Sequence, residues 1–277
     1  MTMRIASVGF ALLAAGLLLP SGGTAQDKKA ADLSVSDLSL QVEALREIHA
    51  WQMTTEQIRL LDKLARETAA KPRERKGTAS KEYRNALLEL HQALAEARNE
   101  QAIADLEEQL DQLHESENPD LDDWFDITDA ARRRAPEVLR QLKVSQVTDY
   151  IALYANYISD PLDVLTEALV RVRTLKASEW KEKREEIAEE VSNLVAGLDA
   201  AKAERVNDQV ITLLIKARGM KQEEFEKRQA ELEKEARQIV GDLAPTDVLR
   251  HFVEYSLAQL LSNPRLPNAT KLRLKDI

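Results

Sequence analysis

Three regularly spaced glycines limit what the C-terminal half of this chain can form. Gly197, Gly219 and Gly241 lie 22 residues apart, and each follows a segment whose apolar residues recur at helical spacings. Glycine is favoured directly after a helix because it adopts left-handed backbone conformations without strain. The spacing therefore predicts three helices of similar length near residues 178–241, with tight turns that make neighbours antiparallel.

The middle segment of this three-helix unit, Asp199–Gly219, distributes its apolar residues differently from its neighbours. They lie on more than one side of a helix, with Leu213 and Leu214 in succession. The flanking segments, 178–197 and 221–241, are rich in charge and carry one narrow apolar stripe each. Because a wide apolar surface needs neighbours on several sides, the middle helix should lie at the centre, with Leu214 deep in the core.

Helical signals also dominate the remainder of the chain. Good helix formers are abundant, and neither sustained apolar/polar alternation nor an Asn-Gly or Asp-Gly hairpin turn occurs. We therefore expect an all-α fold, a multi-helix bundle of about nine to ten amphipathic helices, antiparallel with short turns. Segment 81–114 is one long helix or two with a joint near Asn99, and Pro136 should mark a kink or a helix start.

The domain organisation follows from the same helical segments. One helical domain should span residues 37–262, and a subdivision into two helical parts near 116–128 is the alternative. Residues 26–36 are expected to form a disordered N-terminal segment. Residues 263–277 contain two prolines and are expected to form a loose C-terminal tail.

The N-terminus carries the pattern of a secretory signal peptide. Arg4 precedes an uncharged run, Ile5–Leu19, and small residues at 23–25 allow cleavage after Ala25. The 15 residues of the run are fewer than the ~20 of a membrane span. We therefore expect residues 1–25 to be removed and the mature protein to be periplasmic or secreted, without a transmembrane span. A retained N-terminal anchor is the alternative.

Composition and missing motifs narrow the function. The formal net charge is -9, so an exported chain of this kind lacks the basic face that nucleic acid binding requires. The chain has no cysteine, which excludes disulfides, thiol catalysis and cysteine-ligated zinc. No G-x-S-x-G, P-loop, G-x-G-x-x-G or H-E-x-x-H motif occurs, and only Asp111 and His114 show a metal-ligand spacing. We expect no enzyme activity, no catalytic residue and no cofactor.

One short stretch resembles a known family. Met53–Gln57 is similar to the LTxxQ motif of small periplasmic helical stress chaperones, with methionine in place of leucine. The export signal, the amphipathic helices and the missing cysteines are also similar. The resemblance implies an all-helical, cradle-shaped dimer that holds partly unfolded clients or senses metal stress. The T-x-x-Q pattern is equally a capping box, in which Thr54 and Gln57 satisfy the first turn of any helix. As a whole, the chain also looks like long, secreted helical bacterial proteins.

An acidic stretch is the candidate metal site. Seven carboxylates lie between residues 115 and 129. Calcium takes about six to eight oxygen ligands, which makes Asp120, Asp122 and Asp126 the calcium candidates. The EF-hand pattern is not met, because Trp124 stands where a third ligand would be. The interpretation we prefer is a solvated loop whose acids pair with nearby arginines and with the start of the next helix.

Three tyrosines are the candidate interaction residues. Tyr150, Tyr154 and Tyr157 form a stripe at spacings i, i+4 and i+7. Such a stripe is typical of a core or a helix–helix contact. The alternative is a ligand or client surface, since tyrosine suits interfaces that are partly wet.

A basic loop interrupts the acidic chain. Residues Lys71–Lys81 include five lysines and arginines together with proline and glycine. The loop could contact anionic lipid head groups or cell-wall polymers of the envelope. The alternative is a flexible, solvated loop.

Two hypotheses of function follow. The first is a non-enzymatic extracytoplasmic helical interaction protein, chaperone-like or related to envelope stress, with a protein partner. The second is a self-associating structural or scaffold protein of the cell envelope. Suppression of client aggregation at near-stoichiometric ratios would separate the first from the second.

Leu214→Ala should lower the free energy of unfolding by about 2–5 kcal/mol, the usual cost of truncating a buried leucine. Glu233→Ala, opposite the apolar stripe of its helix, should cost under about 0.5 kcal/mol. Urea denaturation of both variants measures the difference. Equal, small losses would mean that the middle helix lies at the surface and that its apolar breadth serves a partner.

Overall fold

The computed structural model of the chain describes residues 30, 32–71, 77–119, 121 and 125–275. Of these residues 79% are helical, and none forms a β-strand. The all-α multi-helix bundle is thus confirmed, with twelve helices in place of about nine to ten. In chain order they are α1 (Val35–Ala50), α2 (Thr55–Thr68), α3 (Lys81–Ala95), α4 (Glu100–Glu117), α5 (Asp129–Leu139), α6 (Val144–Leu153), α7 (Pro161–Arg171), α8 (Ala177–Ala196), α9 (Ala200–Gly219), α10 (Gln222–Val240), α11 (Pro245–Ser262) and α12 (Leu266–Lys275).

The chain divides into two compact units. Unit 1 contains the described residues up to Arg134 and from Gln259 onward, and unit 2 is Ala135–Ala258. Unit 2 is therefore an insertion between two parts of unit 1, and the divisions fall inside α5 and α11. The subdivision expected as the alternative was near 116–128, where composition changes. A division inside a helix leaves no such change in composition.

Side-chain caps define where the first four helices of unit 1 begin. Ser34, Thr54, Ser80 and Asn99 each accept a hydrogen bond from a backbone N–H in the first turn of α1, α2, α3 and α4. Such caps satisfy N–H groups that have no partner within the helix. Segment 81–114 is accordingly two helices with a joint at Asn99, which was one of the two alternatives.

The expectation of disorder over 26–36 is wrong for the part of that segment that the structure describes. Ala30 is buried, and Ser34 caps α1. Arg84 of α3 donates a hydrogen bond of 2.7 Å from Nη2 to the Leu33 carbonyl. An apolar side chain and a backbone carbonyl therefore find partners that the local sequence does not reveal.

The expectation of a loose tail over 263–277 is also wrong for the described residues. Helix α12 packs against α1, α2 and α3 and buries Leu266, Ala269 and Leu272. Pro267 lies in the first turn of α12. Its missing N–H costs no hydrogen bond there, so this proline does not prevent a helix.

Buried hydrogen bonds attach this C-terminal segment to the first helices of unit 1. Asn263 donates from Nδ2 to the Leu40 carbonyl at 2.9 Å. Thr68 donates from Oγ1 to the Leu261 carbonyl at 2.8 Å, and Thr128 donates from Oγ1 to the Thr68 carbonyl at 2.7 Å. We call Thr68, Thr128 and Asn263 the closing cluster. A buried polar group without a partner is costly, so these contacts stabilise one arrangement of the helices.

The three-helix unit expected near 178–241 is present in unit 2. Helix α9 contacts both α8 and α10, and Leu214 is fully buried. Helix α7 joins them as a fourth helix, since it contacts α8, α9 and α10 and adds Leu165, Leu169 and Val172 to their core. The sequence did not predict that α7 packs with α8, α9 and α10, because no glycine spacing relates α7 to these three helices.

The glycines act differently at the three helix ends. Gly197 and Gly241 have φ of +56° and +72°, which favour glycine, but their ψ of -121° and -168° are not those of the expected left-handed cap. Gly219 is the last residue of α9 and has no such φ, so its expected left-handed cap is wrong. The extended backbone of Met220, with ψ of 143°, makes that turn instead.

Pro136 lies inside α5, near its end, and not at a helix start. Thr128 begins the helix, since its Oγ1 accepts a hydrogen bond of 3.1 Å from the Ala131 N–H. Proline removes the donor that would bond one turn back, a cost that is smaller close to a helix end than in its middle.

Export cannot be compared with the fold, since the predicted signal peptide, residues 1–25, lies outside the described residues. Within the part of the chain that the structure describes, no helix combines the length and hydropathy needed to cross a membrane.

Gly197→Ala should destabilise the protein more than Gly241→Ala. Both positions hold a positive φ, which strains an alanine by roughly 1–2 kcal/mol. At Gly197 the added Cβ would also lie 2.6 Å from Cδ2 of His251, whereas at Gly241 it would meet no atom within 4 Å. Urea denaturation of the two variants isolates the cost of the clash.

Gly219→Ala is the matched control, because its added Cβ meets nothing within 4 Å and its φ is not positive. That variant should be neutral or more stable by up to about 1 kcal/mol. Equal losses for Gly197→Ala and Gly241→Ala would contradict the contact between Gly197 and the ring of His251.

Candidate functional site

A stretch of unit 2 with almost no charge is the candidate interaction surface. Residues 144–158, which we call the low-charge segment, contain one charged residue, Asp149, in a chain that is 31% charged. The segment comprises α6 and a 3-10 turn at Ala155–Tyr157. Surface helices normally carry charge on their solvent side, so the low charge of this exposed helix makes it the candidate.

A hydrogen bond at the first turn of α6 fixes where the helix of the low-charge segment begins. The Lys143 N–H donates a hydrogen bond of 2.9 Å to Oε1 of Gln146, so the glutamine reaches back over the first turn. The helix begins at Val144, and Ser145 is an exposed residue of its first turn.

The tyrosine stripe divides between core and surface. Tyr150 is 2% exposed, and its ring centroid lies 4.6 Å from that of Tyr154 and 6.0 Å from that of Phe252. Tyr150 is therefore a core residue that holds α6 on unit 2 and is not accessible to a partner. Tyr154 and Tyr157 are half-buried, which leaves part of each ring at the surface.

Two apolar residues at the ends of α6 are exposed, and the spacing of the tyrosines does not predict their exposure. Val144 is 84% exposed and Leu153 is 59% exposed. Val170 and Ile215, also in unit 2, are the other large hydrophobic residues with high exposure in the described chain, at 51% and 49%. The signal that could have found Val144 and Leu153 is the low charge of residues 144–158, which is visible in the sequence.

The calcium candidates receive no support as a group. Asp120 and Asp122 lie outside the described residues, and Asp126 is exposed. Among the residues that the structure describes, no group of three or more His, Cys, Asp or Glu side chains is placed to hold a metal ion.

The basic loop is described only at its ends. Lys71 and Lys81 are exposed, and residues 72–76 lie outside the described residues. The contact of Lys71–Lys81 with anionic envelope components stays a prediction.

The T-x-x-Q pattern forms a capping box at the start of α2. The Thr54 N–H donates to Oε1 of Gln57 at 2.8 Å, and the Gln57 N–H donates to Oγ1 of Thr54 at 3.4 Å. Met53 is buried beside it. The capping interpretation is confirmed.

A polar cluster in unit 1 connects α1, α3 and α4. Arg46 donates from Nε to Oε1 of Glu107 at 2.7 Å, and the Tyr83 hydroxyl lies 3.3 Å from Nδ1 of His114. Asp111 is on α4, one turn after Glu107 and one turn before His114. Its Oδ2 atom is buried and has no hydrogen-bond partner. Burial raises the pKa of the Asp111 carboxyl above its usual value, although the positive charge of Arg46 opposes this.

This polar cluster does not assemble an acid–histidine pair among the described side chains. A catalytic base needs an orienting partner within hydrogen-bond distance. The ring of His114 has Tyr83 as that partner, and Asp111 makes no hydrogen bond with it. The cluster therefore tunes the charge of Asp111 and fixes helix positions.

No protein-family model matches this chain, and no curated protein or solved structure matches it. The resemblance to the LTxxQ family therefore rests on the sequence features given above and stays a prediction.

Asp111→Asn should raise the free energy of unfolding at pH 7, because the variant no longer buries a charged oxygen without a partner. A carboxyl whose folded-state pKa is raised stabilises the fold when protonated, and that stability is lost as the pH rises through the folded-state pKa. The difference in the free energy of unfolding between the variant and wild type should therefore shrink as the pH falls from 7. Urea denaturation at a series of pH values measures it.

Asp105→Asn supplies the control, since Asp105 is an exposed residue of the same helix. The difference in the free energy of unfolding between Asp105→Asn and wild type should not shrink as the pH falls. Burial raises the pKa of Asp111, and the carboxylates of Glu107 and Glu115 add to this. If Asp111→Asn increased the free energy of unfolding by the same amount at every pH, the raised pKa would be contradicted.

Proposed function

We propose that this chain is a non-enzymatic interaction protein that works outside the cytoplasm and holds apolar segments of partly unfolded proteins. The observation that carries the proposal is the exposure of Val144 and Leu153 on a helix almost free of charge. The low-charge segment, residues 144–158, is the proposed contact surface. The half-buried Tyr154 and Tyr157 belong to it, while Tyr150 supports it from the core.

Burial of apolar surface supplies the binding energy. Val144 and Leu153 are the first and last residues of α6, on opposite sides of the helix, so each offers a separate apolar contact. Contact of either with an apolar client segment removes it from water, which stabilises a complex by about 25 cal/mol per Å² of apolar area. Tyrosine rings at the rim suit a contact that is partly wet. The net charge of -9 supports solubility of the complexes, because like charges keep loaded molecules apart.

The place of action rests on the sequence. The secretory pattern of residues 1–25 supports export to the periplasm or the exterior. The chaperone-like and envelope-stress character is supported by the resemblance of Met53–Gln57 to the LTxxQ motif.

A self-associating envelope scaffold is the alternative function. A second copy could cover the same low-charge segment with its own, which would also remove Val144 and Leu153 from water. The basic loop at Lys71–Lys81 would then provide contacts with anionic envelope components.

The double variant Val144→Lys/Leu153→Lys should lose most of the ability to suppress aggregation of a chemically denatured test protein. Two exposed charges on the contact surface would have to be desolvated when a client binds. Wild type should suppress aggregation at near-stoichiometric ratios, as measured by light scattering. Ile215→Lys is the matched control, because Ile215 is also an exposed apolar residue of unit 2 outside the segment.

The outcomes separate the two functions. Retained activity in Ile215→Lys and loss in the double variant, with unchanged thermal melting of both, supports client binding at the low-charge segment. A wild type without activity that forms dimers, and a double variant that stays monomeric in gel filtration with light scattering, would favour the scaffold. A wild type that shows neither behaviour would remove both proposals.

A further inference from the structure

Four helices of unit 2 bring their termini together at one end of their bundle. The chain leaves α7 after Arg171, enters α8 at Ala177, leaves α9 after Gly219 and enters α10 at Gln222. Helices joined by short turns run in opposite directions, so these termini share one end. A hydrogen bond confirms the arrangement: Arg218 of α9 donates from Nη1 to the Val172 carbonyl beyond α7, at 2.6 Å.

Three guanidinium groups at this end lie near aromatic rings, and one of them, that of Arg184 at 5.6 Å from the ring centroid of Trp180, already pairs with Glu185. The Cζ atom of Arg218 is 4.8 Å from the ring centroid of Trp180, in the first turn of α8. The Cζ atom of Arg173 is 4.2 Å from the ring centroid of Phe225, in the first turn of α10. Contact with a ring attracts the cation and holds its planar group in one orientation. Each arginine is therefore positioned before any ligand arrives.

Neither arginine has a carboxylate partner among the described residues. The contacts of Arg218 are the Val172 carbonyl and the ring of Trp180, and the ring contact of Arg173 is with Phe225. The Nε atom of Arg173 is buried and makes no hydrogen bond. Both side chains are half-buried. Cations taken partly out of water are normally paired with an anion. The guanidinium groups of Arg173 and Arg218 lack such a counter-charge among the described residues.

The absence of pairing is notable in a chain with 48 acidic and 39 basic residues. Three acidic side chains at this end have other partners. Glu185 accepts from Arg184 at 3.1 Å, Glu179 accepts from the Lys176 N–H at 3.1 Å, and Glu224 lies 3.6 Å from Arg228. The chain thus supplies carboxylates to neighbouring groups and leaves the two stacked arginines without one.

We propose that Arg173 and Arg218 form a binding site for a phosphate group, supplied by free phosphate or by a phospholipid head group. A phosphate monoester carries close to two negative charges at neutral pH, which matches two guanidinium groups. The planar guanidinium presents parallel N–H donors that fit phosphate oxygens. The Nη atoms of both arginines provide the hydrogen bonds, and Trp180 and Phe225 hold the guanidinium planes. The site does not involve the low-charge segment, so it does not depend on the proposed client binding.

Titration calorimetry of the full chain with inorganic phosphate, at constant ionic strength, tests the site. We expect saturable binding, and Arg173→Gln and Arg218→Gln should each weaken it by about tenfold or more, because a charge-assisted hydrogen bond contributes about 1.5–3 kcal/mol. Arg250→Gln is the matched control, since Arg250 is an exposed arginine of unit 2 paired with Asp247. It should bind as wild type does.

A second arm identifies the source of the phosphate. Vesicles with phosphomonoester head groups are compared in a flotation assay with vesicles of a zwitterionic phospholipid. Arginine-dependent binding of free phosphate alone supports a small-molecule site, and arginine-dependent flotation supports a lipid head group. No binding in either arm, or binding that Arg173→Gln and Arg218→Gln leave unchanged, overturns the proposal.

Folding of the variants is controlled separately. Removal of Arg218 also removes its bond to the Val172 carbonyl, so each variant is checked by thermal melting. Should the glutamine variants unfold, Arg173→Lys/Arg218→Lys keeps both charges and loses the planar donors. That variant should fold and bind phosphate more weakly than wild type, and unchanged affinity would overturn the proposal.

Discussion

The closing cluster is the interaction on which unit 1 depends. Thr68, Thr128 and Asn263 come from three distant parts of the chain, and their hydrogen bonds at 2.7–2.9 Å link the end of α2, the start of α5 and the end of α11. A buried polar group is tolerated only when it is paired, so loss of one partner leaves others unsatisfied. The C-terminal segment is therefore part of the fold of unit 1, and α12 covers the apolar sides of α1 and α2.

Unit 2 depends on a different kind of interaction. Its core comes from α7 to α10, which follow one another in the chain and are joined by short turns. Contacts of this kind are local, whereas the contacts that attach the C-terminal segment to unit 1 join distant residues, such as Thr68 and Leu261, which are 193 positions apart. Local contacts cost less loop-closure entropy. We therefore expect the α7–α10 bundle to form independently of the closure of unit 1.

Unit 2 has two surface features that differ in their chemistry. The low-charge segment offers apolar side chains and tyrosine rings, whereas the Arg173 and Arg218 end of the bundle offers cations fixed on aromatic rings. In the two proposals, an apolar client would gain from the first through burial, and an oxyanion would gain from the second through charge-assisted hydrogen bonds. The polar cluster around Asp111 lies in unit 1 and connects helices, so its chemistry concerns stability and its dependence on pH.

The sequence by itself determined the class of the fold and much of its local structure. The positive φ at Gly197 and Gly241, the capping box at Thr54 and the joint at Asn99 depend on residues within a few positions of each other. The wide apolar surface of α9 was sufficient to predict that Leu214 is buried.

Only the tertiary structure decided which segments meet. It placed α12 on α1 and α2, added α7 to the three-helix unit, and buried Tyr150 while it left Leu153 exposed. It also buried one oxygen of Asp111, and among the described residues it placed no carboxylate against Arg173 or Arg218. Caps and periodicity act between near neighbours in the chain, so a sequence shows them. Burial and charge pairing depend on residues that are distant in sequence, and only the folded chain brings those together.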